Sequence, residues 1–241
     1  MTPLGAAIAS TRSSNVRSSE PRPPKRAGGR ARRPKGGKPA SKSDAYHHGD
    51  LREALLQAAE RLLDREGIQS LTLRAAAREA GVSHAAPKHH FRDVAGLLTE
   101  LAIVGFDRFG EFLSSDVRDN MSPREKLRAI AHGYVAFAEA HSALFLLMFR
   151  SERLDMTRPA LREAARSGLD VLASAFGGSN GESDHDELTL AMAGQLARAW
   201  SLVHGFSVLL IDGRWKPLLS RLPGADADDL LEAMLGGAEA R

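Results

Sequence analysis

His84, Lys88 and His89 place three nitrogen donors within one short segment, Ser83 to His90, and small residues separate them. Lys88 and His89 can donate to phosphate oxygens or to the acceptors on guanine. Ala85 and Pro87 would let a backbone come close to base edges and touch thymine methyl groups. Thr72, Arg74 and either His47 or His48 are further candidates for phosphate contacts, and His90 reads better as a packing residue. The chemistry this set fits is reading of a DNA groove, which requires that the donors sit on a helix held out by a rigid support. The opposing reading is a charged, merely solvated helix face.

The support is legible between Leu71 and Phe91, which reads L-T-L-R-A-A-A-R-E-A-G-V-S-H-A-A-P-K-H-H-F. Thr72 is a good N-cap, and Leu73 to Ala80 favours helix, with Ala76, Ala77 and Ala80 small enough for close packing. Gly81 supplies a left-handed residue to end that helix, and Ser83 is expected to cap the next. Two helices joined by Gly81-Val82-Ser83 make a helix-turn-helix, whose second helix enters the major groove. Upstream, Leu51, Leu55, Ala58 and Leu62 with Ala54, Ala59 and Leu63 form one stripe, predicting a first helix from about Asp50 to Glu66, ended by Gly67. Leu71, Leu73 and Phe91 would complete a three-helix core.

Beyond Val94 every substantial segment has helical period, and no alternating strand pattern or repeat occurs, so the fold class is all-α. Leu97, Leu98, Leu101, Val104, Phe106 and Phe109 predict a long helix. Pro123 and Pro159 open two more, Ala143 to Phe149 is short and buried, and Asp226 to Leu235 is a last amphipathic helix. The segment Asp186 to Ile211 is apolar all round, with a large stripe (Met192, Leu196, Trp200, Val203, Leu210) and a small one (Ala191, Gly194, Arg198, Ser201, Gly205, Val208). The core can take the large stripe, and the small one suits another helix.

Net charge is +3 over 241 residues, but residues 1–45 hold eleven basic residues against two acids, whereas the remainder holds twenty-two against twenty-eight. This Pro-, Gly-, Ser- and Arg-rich stretch lacks the apolar residues to offset its ordering entropy and reads as a disordered tail. It is either a solvated extension or a basic arm that contacts phosphates through Lys25 to Lys35. Cysteine is absent, which excludes disulfides and thiolate sites. No apolar run reaches a membrane span, because Gln195, Arg198 and His204 interrupt the longest, and the first residues lack the basic start of a secretory signal. The pairs His47–His48 and His89–His90 point about 100° apart on a helix, a poor chelate, so no metal and no cofactor is expected. A hydrolase using His/Asp chemistry is the reading of another class; no His-Glu-x-x-His and no phosphate-binding loop supports it, and no enzyme is expected.

Tyr46 to Gly67, the helix-turn-helix, and Phe91 with the following Asp-Val-Ala-Gly-Leu-Leu together resemble the DNA-binding end of the TetR family of transcriptional regulators. Trp200-Ser-Leu-Val-His-Gly-Phe resembles the Trp-x-x-Val-His-Gly signature of one subgroup's C-terminal domain. The resemblance implies a helix-turn-helix head over residues 46–92 and a helical effector-binding and dimerisation domain over 93–241, following the tail at 1–45. It implies a cytoplasmic homodimer that binds double-stranded DNA at a palindromic operator and acts as a repressor responsive to a small-molecule effector, with no membrane partner. The last two helices would pair with their copies through Gly194, Arg198, Ser201, Gly205, Leu230, Leu231 and Met234. Phe106, Phe109, Phe137, Phe145, Met148, Trp200 and His204 are candidates to line the effector pocket, although Trp200 and His204 could equally serve the core. Two positions depart from the family pattern: Lys88-His89 stands where Tyr and a basic residue are usual, and Val94 replaces a Lys. The head is thus weakly basic, and the tail is expected to compensate. The nearest rival is a DNA-binding protein that senses nothing, or one that reads sequence only weakly and uses its basic tail.

Overall fold

The computed structural model describes residues 42–150, 152–175 and 189–236, with side chains from residue 51 onward except 150. Among the described residues there are ten α-helices, one 3-10 turn and no strand. The head comprises α1 (Lys42–Glu66), a 3-10 turn (Ile68–Ser70), α2 (Leu73–Glu79) and α3 (Ala86–His90). The body comprises α4 (Val94–Ser114), α5 (Pro123–Ala140), α6 (Ser142–Arg150), α7 (Pro159–Ser174), α8 (Leu190–Ile211), α9 (Lys216–Leu219) and α10 (Ala227–Gly236).

Each boundary has a local cause. Gly67 adopts φ 76°, which only a residue without a Cβ enters at low cost, and its N–H closes α1 on the Leu63 carbonyl at 2.9 Å. Asp93 caps α4 by accepting from the Gly96 N–H at 2.9 Å. Ser122 and Glu125 form a reciprocal capping box ahead of Pro123, so α5 begins where the proline's missing N–H does no harm. Between α5 and α6 the chain bends by 107° at His141. Thr189 caps α8 through the Met192 N–H.

The head and body share one continuous core. Leu55, Leu62, Leu63, Leu71 and Phe91 join Leu97, Leu98 and Leu101 of α4, and that helix carries the same core through Phe109 to Leu113. Polar ties accompany it: Glu100 on α4 is shared by Arg52 of α1 and Arg158 beside α7, and Arg108 pairs with Glu60. A second, smaller cluster unites Val135, Phe206 and Leu231, with the Trp215 indole N–H donating to the Phe206 carbonyl at 3.1 Å.

Several expectations need correction. The first helix begins at Lys42 and not near Asp50, so residues 42–45, assigned to a disordered tail, are helical. Helix α8 begins at Leu190; Asp186 and Phe176 lie outside the described residues, as does the tail before residue 42. The short α9 was not anticipated. On α8 the buried face is Leu196, Val203, Phe206 and Ser207, and Trp200, expected in the core, is 41% exposed. The small stripe is exposed only over its first half, at Ala191, Gly194, Arg198 and Ser201; Gly205 and Val208 are half-buried, and Val208 packs against the core. Among the described residues, no single helix is long and apolar enough to cross a membrane.

Candidate nucleic-acid interface and body cavity

The turn between α2 and α3 is built as the residue types require. The Thr72 hydroxyl accepts from the Ala75 N–H at 3.0 Å, capping α2. At its other end Gly81, at φ 69°, donates to the Arg78 carbonyl (3.1 Å) and Val82 to the Ala77 carbonyl (2.9 Å). These are the two bonds of a Schellman motif, and half-buried Val82 packs on the core to complete it. Ala75, Ala76 and Ala77 are buried, which lets α2 lie close against α1.

Helix α3 starts later than Ser83. A helix seeded at Ser83 would need the residue 87 N–H to donate to the Ser83 carbonyl, and Pro87 has none. The structure resolves this by giving the Ser83 carbonyl to the Ala86 N–H at 3.0 Å and the Ser83 hydroxyl to the Ala85 N–H at 3.3 Å. Ala85 then becomes the N-cap, and Pro87 falls in the first helical turn, where a missing N–H is tolerated. Pro87 is buried, so its assignment to the DNA-facing set is withdrawn; it packs inward and sets where α3 begins. Phe91, 2% exposed, anchors the far end, and its N–H donates to the Pro87 carbonyl at 2.7 Å.

The remaining assigned residues Thr72, Arg74, Ser83, His84, Ala85, Lys88 and His89 are all exposed. The side chains of His47 and His48 lie outside the described residues. No acidic residue occurs between Glu79 and Asp93, so α3 and its turn form an acid-free strip. Glu79 itself is turned to Arg65 and Arg61, at 3.0 and 3.3 Å, and these hydrogen bonds hold its carboxyl below the ordinary carboxylate range. Half-buried Val94 packs against the core, where a lysine would have had to extend to solvent.

In the body, α4 to α8 enclose a cavity of about 430 Å³. Of the assigned pocket residues Phe106, Phe109, Met148 and Trp200 line it. Phe137 and Phe145, both fully buried, lie in the core instead, and His204 stands behind the wall. The His204 Nδ1 is 2.8 Å from the Tyr134 hydroxyl, which also receives the Trp200 indole N–H. Tyr134 and Arg162, both lining, were not foreseen; Tyr134 was legible as a buried helix residue, and Arg162 carried no signal distinguishing it from other surface arginines.

On α8, Cβ atoms added at Gly194 or Gly205 would meet nothing within 4 Å. Leu231 is 0% exposed inside the cluster with Val135 and Phe206, which removes it from the proposed dimer contacts. Leu230 and Met234 are half-buried against that cluster. Among the described residues no three His, Cys, Asp or Glu side chains gather as a metal site would need. One motif bears on the hydrolase reading: Gly177-Gly178-Ser179-Asn180-Gly181 spells Gly-x-Ser-x-Gly. A nucleophile elbow needs a strand before it, whereas this run follows α7 and itself lies outside the described residues.

A small head that presents a short helix after a tight turn, carried on an all-helical body with an apolar cavity, defines a helix-turn-helix fold joined to a helical domain. The profile of bacterial regulatory proteins of the tetR family matches residues 55–101, and that of the tetracycline repressor-like C-terminal domain matches residues 127–237. A solved structure of a protein of unknown function from Rhodococcus sp. RHA1 is 33% identical, covering 79% of this chain and 94% of its own, with a TM-score of 0.61. The TetR family transcriptional regulator PfmR from Thermus thermophilus is 18% identical, covering 76% and 94%, with a TM-score of 0.51. No curated protein matches the chain. The chain belongs to the TetR family and has the fold of its DNA-binding transcription regulators.

Proposed function

We propose that this protein is a homodimeric, ligand-responsive repressor that reads a palindromic operator. Two heads, over residues 46–92, would place α3 in successive major grooves about one helical turn apart. His84, Ala85, Lys88 and His89 would approach base edges, and Thr72, Arg74, Ser83 and one of His47 or His48 would hold phosphates. The exposed Gly194, Arg198 and Ser201 with half-buried Gly205 would meet their copies in the partner, with Leu230 and Met234 at the edge. An effector in the body cavity would favour a head separation that no longer fits the operator, so effector and operator weaken each other reciprocally. The observation that carries the reading is the acid-free, exposed strip on a helix-turn-helix pinned at both ends of its turn.

Selection from random duplexes at physiological salt tests it. The expected result is an enriched inverted repeat, whose affinity falls about tenfold or more when Lys88 and His89 are both replaced by alanine. Flat enrichment that vanishes as salt rises would reduce the protein to a non-specific DNA binder. The basic residues of 1–45 are expected to supply sequence-independent affinity. Deleting them should flatten the log–log dependence of affinity on salt by roughly one counterion for each phosphate that the tail neutralises, and an unchanged slope rules this out.

A further inference from the structure

The body cavity has two chemically different ends. Its inner wall is formed by Phe106, Phe109 and Met148, with the Tyr134 hydroxyl as its polar group. That hydroxyl is already engaged by Trp200 and His204, and burial pushes the phenol well above its ordinary value, so it stays neutral. Among the described residues no charged side chain lines this end, and an ionised group placed there would be desolvated without a counter-charge.

The mouth is different. Met156 and Trp200 stand there 59% and 41% exposed, beside the guanidinium groups of Arg162 and Arg166, which follow one another on the same face of α7. Among the described residues these two are the only charged ones lining the cavity, and no acid lines it. Arg162 donates to the Thr157 carbonyl at 3.0 Å and, more weakly, to the Met156 carbonyl at 3.4 Å. Neutral carbonyls do not compensate its charge, and no ion pair to it occurs among the described residues. Arg166 meets Asp170 at 3.6 Å in an exposed pair.

We propose that the cavity binds an amphipathic carboxylate, with its apolar body against the aromatic inner wall and its carboxylate on Arg162 at the mouth, with Arg166 close by. A volume of about 430 Å³ lies within the range of small-molecule sites. A guanidinium fork matches a carboxylate better than it matches a carbonyl, so the ligand takes Arg162 from Thr157 and Met156. Those residues belong to the segment between α6 and α7, which touches the head directly at one place and through Glu100 of α4 at another. Arg153 donates to the Ile68 carbonyl at 3.2 Å, and Arg158 shares Glu100 with Arg52. Freeing that segment would disturb both contacts; this last step rests on the proposed ligand-responsive function, whereas binding does not.

Titration calorimetry of the full-length protein with three probes of equal chain length tests the proposal: decanoate, decan-1-ol and decyltrimethylammonium. Decanoate is expected to bind at least tenfold more tightly than decanol, and the cation not at all. Arg162→Gln should lower decanoate affinity about tenfold and leave decanol unchanged. Ala165→Phe, which fills the cavity from α7, should abolish binding of both. Equal binding of decanoate and decanol, indifference to Arg162→Gln, binding that survives Ala165→Phe, or no binding of decanoate each overturns the proposal. Operator affinity is measured separately: decanoate that binds in this way without weakening DNA binding upholds the ligand class and overturns the ligand-responsive function.

Discussion

Phe91→Ala is expected to destabilise the protein by about 3–5 kcal/mol, the range for truncating a buried phenylalanine. The ring is 2% exposed and belongs to the core that joins Leu55, Leu62 and Leu71 of the head to Leu97 and Leu98 of α4. Its removal leaves a cavity at the point where α3 meets both. For a body of this size each kcal/mol lowers the midpoint by about 2–4 °C, so thermal denaturation should shift down by roughly 6–20 °C. DNA binding should fail even below the transition, because Phe91 also closes α3 through its bond to the Pro87 carbonyl. Lys88→Ala is the informative contrast. Its side chain is exposed, so the midpoint should hold within about 1–2 °C, in keeping with a surface change of about 0.5 kcal/mol or less, while operator affinity drops. A Phe91→Ala protein that melts like the parent would mean that α3 is not anchored by this ring, and the head's architecture would need another account.

What was legible in the sequence was whatever depends on neighbours along the chain. Pro123, Pro159 and the Gly81 turn each announce a helix boundary by backbone chemistry that operates within four residues. The same local logic fails at Ser83, where a good capping side chain is overruled by a proline four residues on. It also fails at the start of α1, where Lys42 to Gly49 has little apolar periodicity to mark it as helix. The candidate site was legible to the extent that exposure follows from amphipathic period: of the described residues assigned to DNA, all but Pro87 are exposed. The cavity was less so. Phe106, Phe109, Phe137 and Phe145 all occupy apolar helix faces, and only the packing of α7 and α8 decides which pair meets a void and which is sealed. Leu231 shows the same ambiguity, since an apolar stripe on α10 does not say whether its own chain or a second copy covers it.

Gly133→Val should be the most damaging single substitution in the body. Helix α5 crosses the end of α4 so closely that a Cβ at position 133 would stand 2.2 Å from the Phe112 carbonyl oxygen and 3.2 Å from the Leu113 Cα. Backbone, unlike the end of a flexible side chain, has no rotamer by which to withdraw. The two helices must therefore move apart, and α5 also supports α8. Overpacking a core ordinarily costs about 1–3 kcal/mol, and a clash between two backbones belongs at or above the top of that range. A fall in the thermal midpoint of about 6–12 °C follows from about 3 kcal/mol. The consequence reaches function through the next residue. Tyr134 is aimed into the cavity and held by Trp200 and His204, so shifting α5 breaks that arrangement before it breaks the head, whose helix-turn-helix is built from α1 to α3. A correctly folded fraction of Gly133→Val, assayed below its transition, should bind operator near parental affinity and no longer bind ligand in the body. Gly133→Ala should show the same pattern at smaller amplitude, because its Cβ meets the same carbonyl without the added methyls. If both variants melt like the parent, α4 and α5 do not approach as closely as 2.2 Å implies, and the cavity they frame is wider than about 430 Å³.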